Sequence, residues 1–238
     1  MDHGKPIIYV KNVRKVYRMG DEEVVALKRI NLRIYKGEVC CIFGTSGSGK
    51  STLLNQLAGM EKPTKGQVFI RGKNISDMNE EELAAFRQEH MSFIFQSYNL
   101  LPSMTAVENV AMPLMFKGMD RKRREAMAEE MLKRVGLSHR LHHYPSQMSG
   151  GQQQRAGIAR AFVSRPEVVF ADEPTGNLDS RNGLEIMDLL TMLNDAGTTI
   201  VMVTHSEHDA RYSHRIIHML DGKPVSENFL KELAYTAN

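Results

Sequence analysis

One eight-residue segment constrains this chain more than any other. Residues 44–51 read Gly44-Thr45-Ser46-Gly47-Ser48-Gly49-Lys50-Ser51, a full match to G-x-x-x-x-G-K-[ST]. The segment follows the nearly continuous apolar run Glu38 to Phe43 and precedes Leu53, Leu54, Leu57 and Ala58 at helical spacing. The local order is therefore buried strand, loop, helix. Glycines at 44, 47 and 49 let the backbone curl so that its N–H groups, those of Thr45, Ser46 and Ser48 included, surround phosphate oxygens. A helix starting near Lys50 points its positive dipole end at the same place. In this reading Lys50 reaches the β- and γ-phosphates of a nucleoside triphosphate and Ser51 offers its hydroxyl to Mg²⁺. Thr52 offers its hydroxyl or N–H to the α-phosphate.

A second apolar strand, Val168 to Ala171, delivers Asp172 and Glu173 at its C-terminal end, where open α/β sheets place their ligands. Alternation along a strand sends the two carboxylates in different directions, so Asp172 can hold the Mg²⁺ shell while Glu173 polarises a water for in-line attack. A third strand, Thr199 to Val203, follows an amphipathic helix over Gly183 to Asn194, and this β-α-β rhythm implies a mainly parallel sheet. Before the phosphate loop, short apolar runs at Ile7 to Val10, Val24 to Leu27 and Ile30 to Ile34 fit an antiparallel layer. From about Phe86 to Phe162 the pattern turns helical, including the charged stretch Asp120 to Arg134 with Met127, Met131, Leu132 and Val135 on one side. The expectation is an α/β fold: a core at 1–85 and 163–238 with an antiparallel β layer, interrupted by a helical lobe at 86–162.

Composition narrows the partners. No apolar run approaches the roughly 20 residues that a spanning helix needs, and the start, Met1-Asp2-His3-Gly4-Lys5-Pro6, has no apolar segment behind a basic one. A cytoplasmic protein is expected. With 31 basic and 28 acidic residues the net charge is +3, too even to select nucleic acid or anionic lipid. The two cysteines, Cys40 and Cys41, are adjacent in an apolar strand and read as packed thiols. His139, His142 and His143 lack a cysteine or carboxylate at ligand spacing and read as a solvated loop cluster. Arg121-Lys122-Arg123-Arg124 is followed by Glu125, Glu129 and Glu130, which suggests i,i+4 pairing on an exposed helix. The last dozen residues look weakly tied down.

Met148-Ser149-Gly150-Gly151-Gln152 stands before a helix through Arg155, Ile158, Ala159 and Ala161. It resembles the L-S-G-G-Q signature of ATP-binding-cassette proteins, with Met148 in place of leucine. A hydroxyl, two small residues and a helix N-terminus suit an anion. The resemblance covers essentially the whole chain and implies a single nucleotide-binding domain over 1–238, with a P-loop, RecA-like core. It implies further roles: Tyr17 stacks on adenine, and Gln96 belongs to the glutamine loop beside the metal and the reaction. It places Asn177-Leu178-Asp179 on the loop that crosses to a second copy, and makes His205 the switch histidine at the γ-phosphate. Ser149, Gly150, Gly151 and Gln152 of one copy then meet the ATP held by the phosphate loop of the other. The implied working unit is a head-to-tail dimer of this chain with Mg²⁺ and two ATP molecules.

Leu100-Leu101-Pro102-Ser103-Met104-Thr105-Ala106-Val107-Glu108-Asn109-Val110, with Gly176-Asn177 before Leu178-Asp179, is similar to the subgroup containing LolD, the MacB nucleotide-binding domain and FtsE. That likeness implies an ATPase at the cytoplasmic face of the inner membrane that powers export by a separate permease of the MacB, LolC/E or FtsX type. An FtsE-like regulator of cell-wall hydrolases is the alternative. Nucleic acid is not an expected partner.

Overall fold

The computed structural model describes residues 4–227. The expectations resting on Met1 to His3 and on residues 228–238 fall outside that range. Strands β1 (Ile8–Met19), β2 (Glu22–Ile34) and β3 (Val39–Phe43) come first, then helix α1 (Lys50–Leu57), strands β4 (Lys65–Ile70) and β5 (Lys73–Asn74), and helix α2 (Glu80–His90). Strand β6 (Met91–Ile94) leads to helices α3 (Ala106–Phe116), α4 (Arg121–Arg134) and α5 (Gly150–Phe162). Strand β7 (Val168–Asp172), helix α6 (Ser180–Asp195), strand β8 (Thr199–Thr204), helix α7 (Glu207–Ala210) and strands β9 (Arg215–Leu220) and β10 (Lys223–Val225) follow. The architecture is α/β, with parallel and antiparallel strand pairs. Two compact units divide the chain: residues 1–83 with 201–238, and residues 84–200.

In the first unit an antiparallel sheet runs β2-β1-β4-β5. The apolar runs Val24 to Leu27 and Ile30 to Ile34 are one strand, because the β1–β2 ladder continues from Ile8↔Ile34 to Met19↔Glu22 through several register shifts. Arg29 lies in the left-handed region at φ 57 and its Nε donates to Asn12 Oδ1 at 3.1 Å, so bulged residues on the two strands support each other. Strand β3 pairs in parallel with β9, Cys40↔Arg215 through Phe43↔His218, and Val39 to Ile42 are all buried. A strand covered on both faces has to be apolar throughout, which is why this segment does not alternate. Arg215 Nε meets Glu38 Oε1 at 2.6 Å and Val39 N donates to His214 Nδ1 at 2.9 Å, which ties the start of β3 to the start of β9.

In the second unit β6 pairs in parallel with β7, Met91↔Val168 through Ile94↔Ala171. Residues 91–94 lie where the sequence pattern had indicated only helices; Met91 and Ile94 are buried, and the ladder with β7 satisfies a backbone that would otherwise lack partners. The helical core packs Val107, Val110 and Leu114 of α3 against Ala128 and Leu132 of α4 and Ala156 and Ala159 of α5, with Met127 and Met131 partly buried against it. Thr105 and Glu108 form a capping box at the start of α3. Asn109, wholly buried, donates to the carbonyls of Leu101 and Met104 at 3.1 and 3.0 Å and accepts from Leu101 N at 2.7 Å, which pins the loop before that helix. On α4 Arg121 of the basic run makes the expected i,i+4 pair with Glu125 at 2.7 Å, while Arg124 donates to Met119 O at 3.1 Å, and Arg134, beyond that run, pairs with Glu130 at 2.9 Å. Among the described residues no helix is long and apolar enough to cross a membrane, and no cluster of ligating side chains could hold a metal by itself.

Candidate active site

The first unit carries the phosphate loop. Gly47 and Gly49 sit at φ 79 and 96, a region that L side chains rarely adopt. A Cβ on Gly44 would collide with the Met219 carbonyl, and one on Gly49 would stand 2.8 Å from the Ala26 carbonyl, so β9 and β2 press against the loop from outside. Gly222 N donates to Ser48 O at 3.0 Å and Ser48 N to Thr45 O at 3.3 Å, holding the curl. Lys50, almost fully buried, donates to Thr45 O at 2.9 Å. Helix α1 has no side-chain cap and no acidic residue in its first turn, and Ser48 Oγ is buried without a hydrogen bond. A helix start with uncapped N–H groups, a buried cation and an unpartnered hydroxyl fits a polyphosphate.

In the same unit Tyr17, on β1, donates its hydroxyl to Glu61 Oε2 at 2.8 Å. His205, exposed, directly follows β8, between Thr204, whose hydroxyl accepts from Ser206 N at 3.0 Å, and Ser206, the N-cap of α7.

The second unit carries the acidic pair and the signature segment. Asp172 ends β7 and Glu173 turns sharply away at φ 43, a strain of about 1–3 kcal/mol. Gln154 on α5, fully buried, holds that corner by donating to Pro174 O at 2.6 Å. Gln96 follows β6; its Nε2 contacts Asn177 Oδ1 at 3.4 Å, and Asn177 Nδ2 donates back to Gln96 O at 3.0 Å. A Cβ on Gly176 would lie 2.7 Å from Gln96 Nε2 and 3.3 Å from Glu173 Oε2, so amide and carboxylate converge over this glycine. The unit thus brings Gln96, Glu173 and Asn177 to one place.

Ser149 is the N-cap of α5: its hydroxyl accepts from Gln152 N at 3.3 Å while Ser149 N donates to Gln152 Oε1 at 3.1 Å. The spacing S-x-x-Q is the capping-box signal, so the residues of the signature shape their own helix start. Gly150 packs beneath the Tyr98 hydroxyl and Gly151 against Asn182. Asp179 caps α6; the backbone N–H of Asn182, and then its side-chain amide, hold the Asp179 carboxyl below the usual carboxylate range. Tyr98, Asn182 and Glu61 escape the sequence reading because each acts across elements distant in the chain.

The family model described as ABC transporter matches residues 27–176, more than half of the chain. The chain belongs to the ABC transporter family. It is an ABC transporter ATPase domain. An uncharacterized ABC transporter ATP-binding protein of Methanocaldococcus jannaschii is 49% identical over 92% of this chain and 98% of its own length. The macrolide export ATP-binding/permease protein MacB of Wolinella succinogenes is 48% identical, and that of Escherichia coli K12 46% identical, each over 92% of this chain. This chain spans about a third, 34%, of those MacB proteins. Among solved structures, a dimeric post-hydrolysis state of the ATP-binding cassette MJ0796 bound to ADP and Pi superimposes with a TM-score of 0.86 at 45% identity, over 92% of this chain and 97% of that one. The cassette fold is thereby shown at high sequence identity.

Proposed function

We propose that this chain hydrolyses Mg-ATP as a head-to-tail dimer and powers export by a separate membrane permease of the MacB, LolC/E or FtsX type, from the cytoplasmic face of the inner membrane. The reading treats the two units as one nucleotide-binding domain. One observation carries it: a single chain holds a phosphate loop with a buried lysine and uncapped helix N–H groups, and also a separate helix start at Ser149–Gln152 whose hydroxyl, small residues and helix dipole suit a second anion. Two such helix starts on one chain, together with the dimeric MJ0796 cassette bound to ADP and Pi, support two copies arranged so that the signature of one meets the ATP of the other.

Lys50 and the N–H groups of residues 44–51 bind the β- and γ-phosphates, Thr52 the α-phosphate, and Tyr17 the base. Ser51, Gln96 and Asp172 would hold Mg²⁺, which supplies charge neutralisation on the phosphates. Glu173 takes the proton of the attacking water, with His205 donating to the γ-phosphate. Ser149 to Gln152 of the other copy and its Asp179 loop bear on the same nucleotide. Loss of the γ-phosphate then removes the contact that both copies share, and the dimer opens. The permease supplies the membrane spans, and the MacB relatives, which are ATP-binding/permease proteins, support that pairing.

Glu173→Gln tests the reading. It removes the base and keeps the shape, so turnover falls by about 10²- to 10⁴-fold while ATP binding persists and an ATP-dependent dimer accumulates on size exclusion. Wild-type turnover by that variant removes Glu173 as the base, and a monomer at saturating ATP removes the shared site.

A further inference from the structure

Tyr17 is tethered in a way that stacking alone does not require. Its hydroxyl donates to Glu61 Oε2 at 2.8 Å and hydrogen-bonds the Thr52 side chain, and Lys15 Nζ stands 5.1 Å from its ring centroid. Glu61 is held in turn: Lys15 Nζ is 3.0 Å from its Oε2 and Asn55 Nδ2 donates to its Oε1 at 3.4 Å. Lys15 also donates to Lys62 O at 2.9 Å, so both ends of its stem are fixed. Burial pushes the Glu61 carboxyl up, but the hydrogen bonds from Tyr17 and Lys15 outweigh it and hold the group below its ordinary range, hence charged.

The contacts join three pieces of chain: Lys15 and Tyr17 on β1, Thr52 and Asn55 on α1, and Glu61 shortly after that helix. Helix α1 starts at Lys50. The aromatic ring and the phosphate loop are therefore tied together through the hydroxyl end of the ring. A phenylalanine would offer the same stacking face and none of this connection. Fixing a ring before its ligand arrives removes the ordering cost from the binding step.

We propose that Glu61, supported by Lys15, is a positioning residue for nucleotide binding: it locks the Tyr17 ring in the orientation that stacks on a purine base and sets the spacing from ring to phosphate loop. The inference rests on the reading of Tyr17 as the base platform. Glu61 itself touches no nucleotide. Its effect is confined to ligands that carry a base, because the lysine and N–H groups of the loop have their own anchors in Thr45, Gly222 and Ser48.

Equilibrium titration of ATP, ADP and inorganic tripolyphosphate against the full chain and its variants tests this. Glu61→Ala should weaken ATP and ADP about three- to tenfold and leave tripolyphosphate unchanged. Glu61→Gln, which retains an acceptor for the Tyr17 hydroxyl, should recover most of the loss. Tyr17→Ala should loosen ATP at least as much, and Tyr17→Ala/Glu61→Ala should add nothing further. If Tyr17→Ala loosens ATP and Glu61→Ala does not, the clamp is wrong and the base platform stands. If Tyr17→Ala leaves ATP affinity unchanged, the platform fails and the clamp with it. A parallel loss of tripolyphosphate in Glu61→Ala also overturns the proposal, since it marks general damage to the loop.

Discussion

Gly151 packs directly against Asn182: a Cβ on the glycine would stand 2.5 Å from Asn182 Oδ1 and 3.0 Å from its Cγ. Asn182 is not free to step aside, because its N–H and its amide donate to the two oxygens of Asp179 at 2.9 and 2.6 Å. The signature helix α5 and the cap of α6 are thus one mechanical piece, joined where only a glycine fits. Gly151→Ala must push Asn182 off Asp179, and a displacement of this kind is expected to lower phosphate release by about ten- to a hundredfold. Shortening the obstructing side chain provides the check: Gly151→Ala/Asn182→Ala should be more active than Gly151→Ala alone. Equal activities would mean that the glycine is required for another reason.

Gln96 and Asn177 support each other through two hydrogen bonds, one to the Gln96 backbone. Asn177→Ala removes both, leaving the end of β6 and the amide of Gln96 less restrained. At about 1 kcal/mol for each net hydrogen bond, turnover should fall about five- to thirtyfold. ATP affinity, which the proposed site assigns to the phosphate loop and Tyr17, should stay within error. Steady-state phosphate release and nucleotide titration on the same preparation separate the two quantities.

The parts of this site that the sequence announces are those in which chemistry and local geometry coincide. Gly44 to Ser51 has to be a strand–loop–helix corner to work at all, and the structure places β3 and α1 on either side of it. Val168 to Ala171 and Thr199 to Val203 are legible because a strand buried on both faces leaves a nearly unbroken apolar run. Strand β6 was not legible: four residues between two helical patterns carry no period of their own, and their pairing with β7 comes from residues more than 70 positions away. Glu61, Tyr98 and Asn182 were hidden for the same reason. Each looks like an ordinary polar side chain until the fold sets it against Tyr17, Gly150 or Gly151. The S-x-x-Q capping box at Ser149 could have been read and adds a structural duty to the proposed anion-binding one.

Helix α3 depends on its first turn. Thr105 N donates to Glu108 Oε2 at 2.8 Å and Glu108 N to Thr105 Oγ1 at 3.4 Å, and Pro113 within the helix removes one of its internal hydrogen bonds. Thr105→Ala should cost about 1 kcal/mol, or about 2–4 °C in Tm for a chain of this size. Thr105→Ser, which keeps the acceptor, should melt close to wild type. Thermal melts followed by circular dichroism decide it.

Cys40 and Cys41 make stability depend on alkaline pH. Burial pushes both thiols up to about 12, from an ordinary value of 9.0. In the unfolded chain each thiol ionises near 9, whereas in the fold it stays protonated, so above that pH the unfolded state holds fewer protons. The sign follows: the contribution is complete below pH 9 and is lost as pH rises from 9 toward 12. The loss is about 1.4 kcal/mol per pH unit for each thiol. Urea unfolding at pH 8, 9 and 10 should show a steeper decline for wild type than for Cys40→Ala/Cys41→Ala, whatever the variant's stability at pH 8. The same burial should keep both thiols unreactive toward iodoacetamide in the native protein at pH 8 and expose both in urea. Rapid native labelling, or parallel stability profiles for the two proteins, would place the thiols in contact with solvent and remove β3 from the interior.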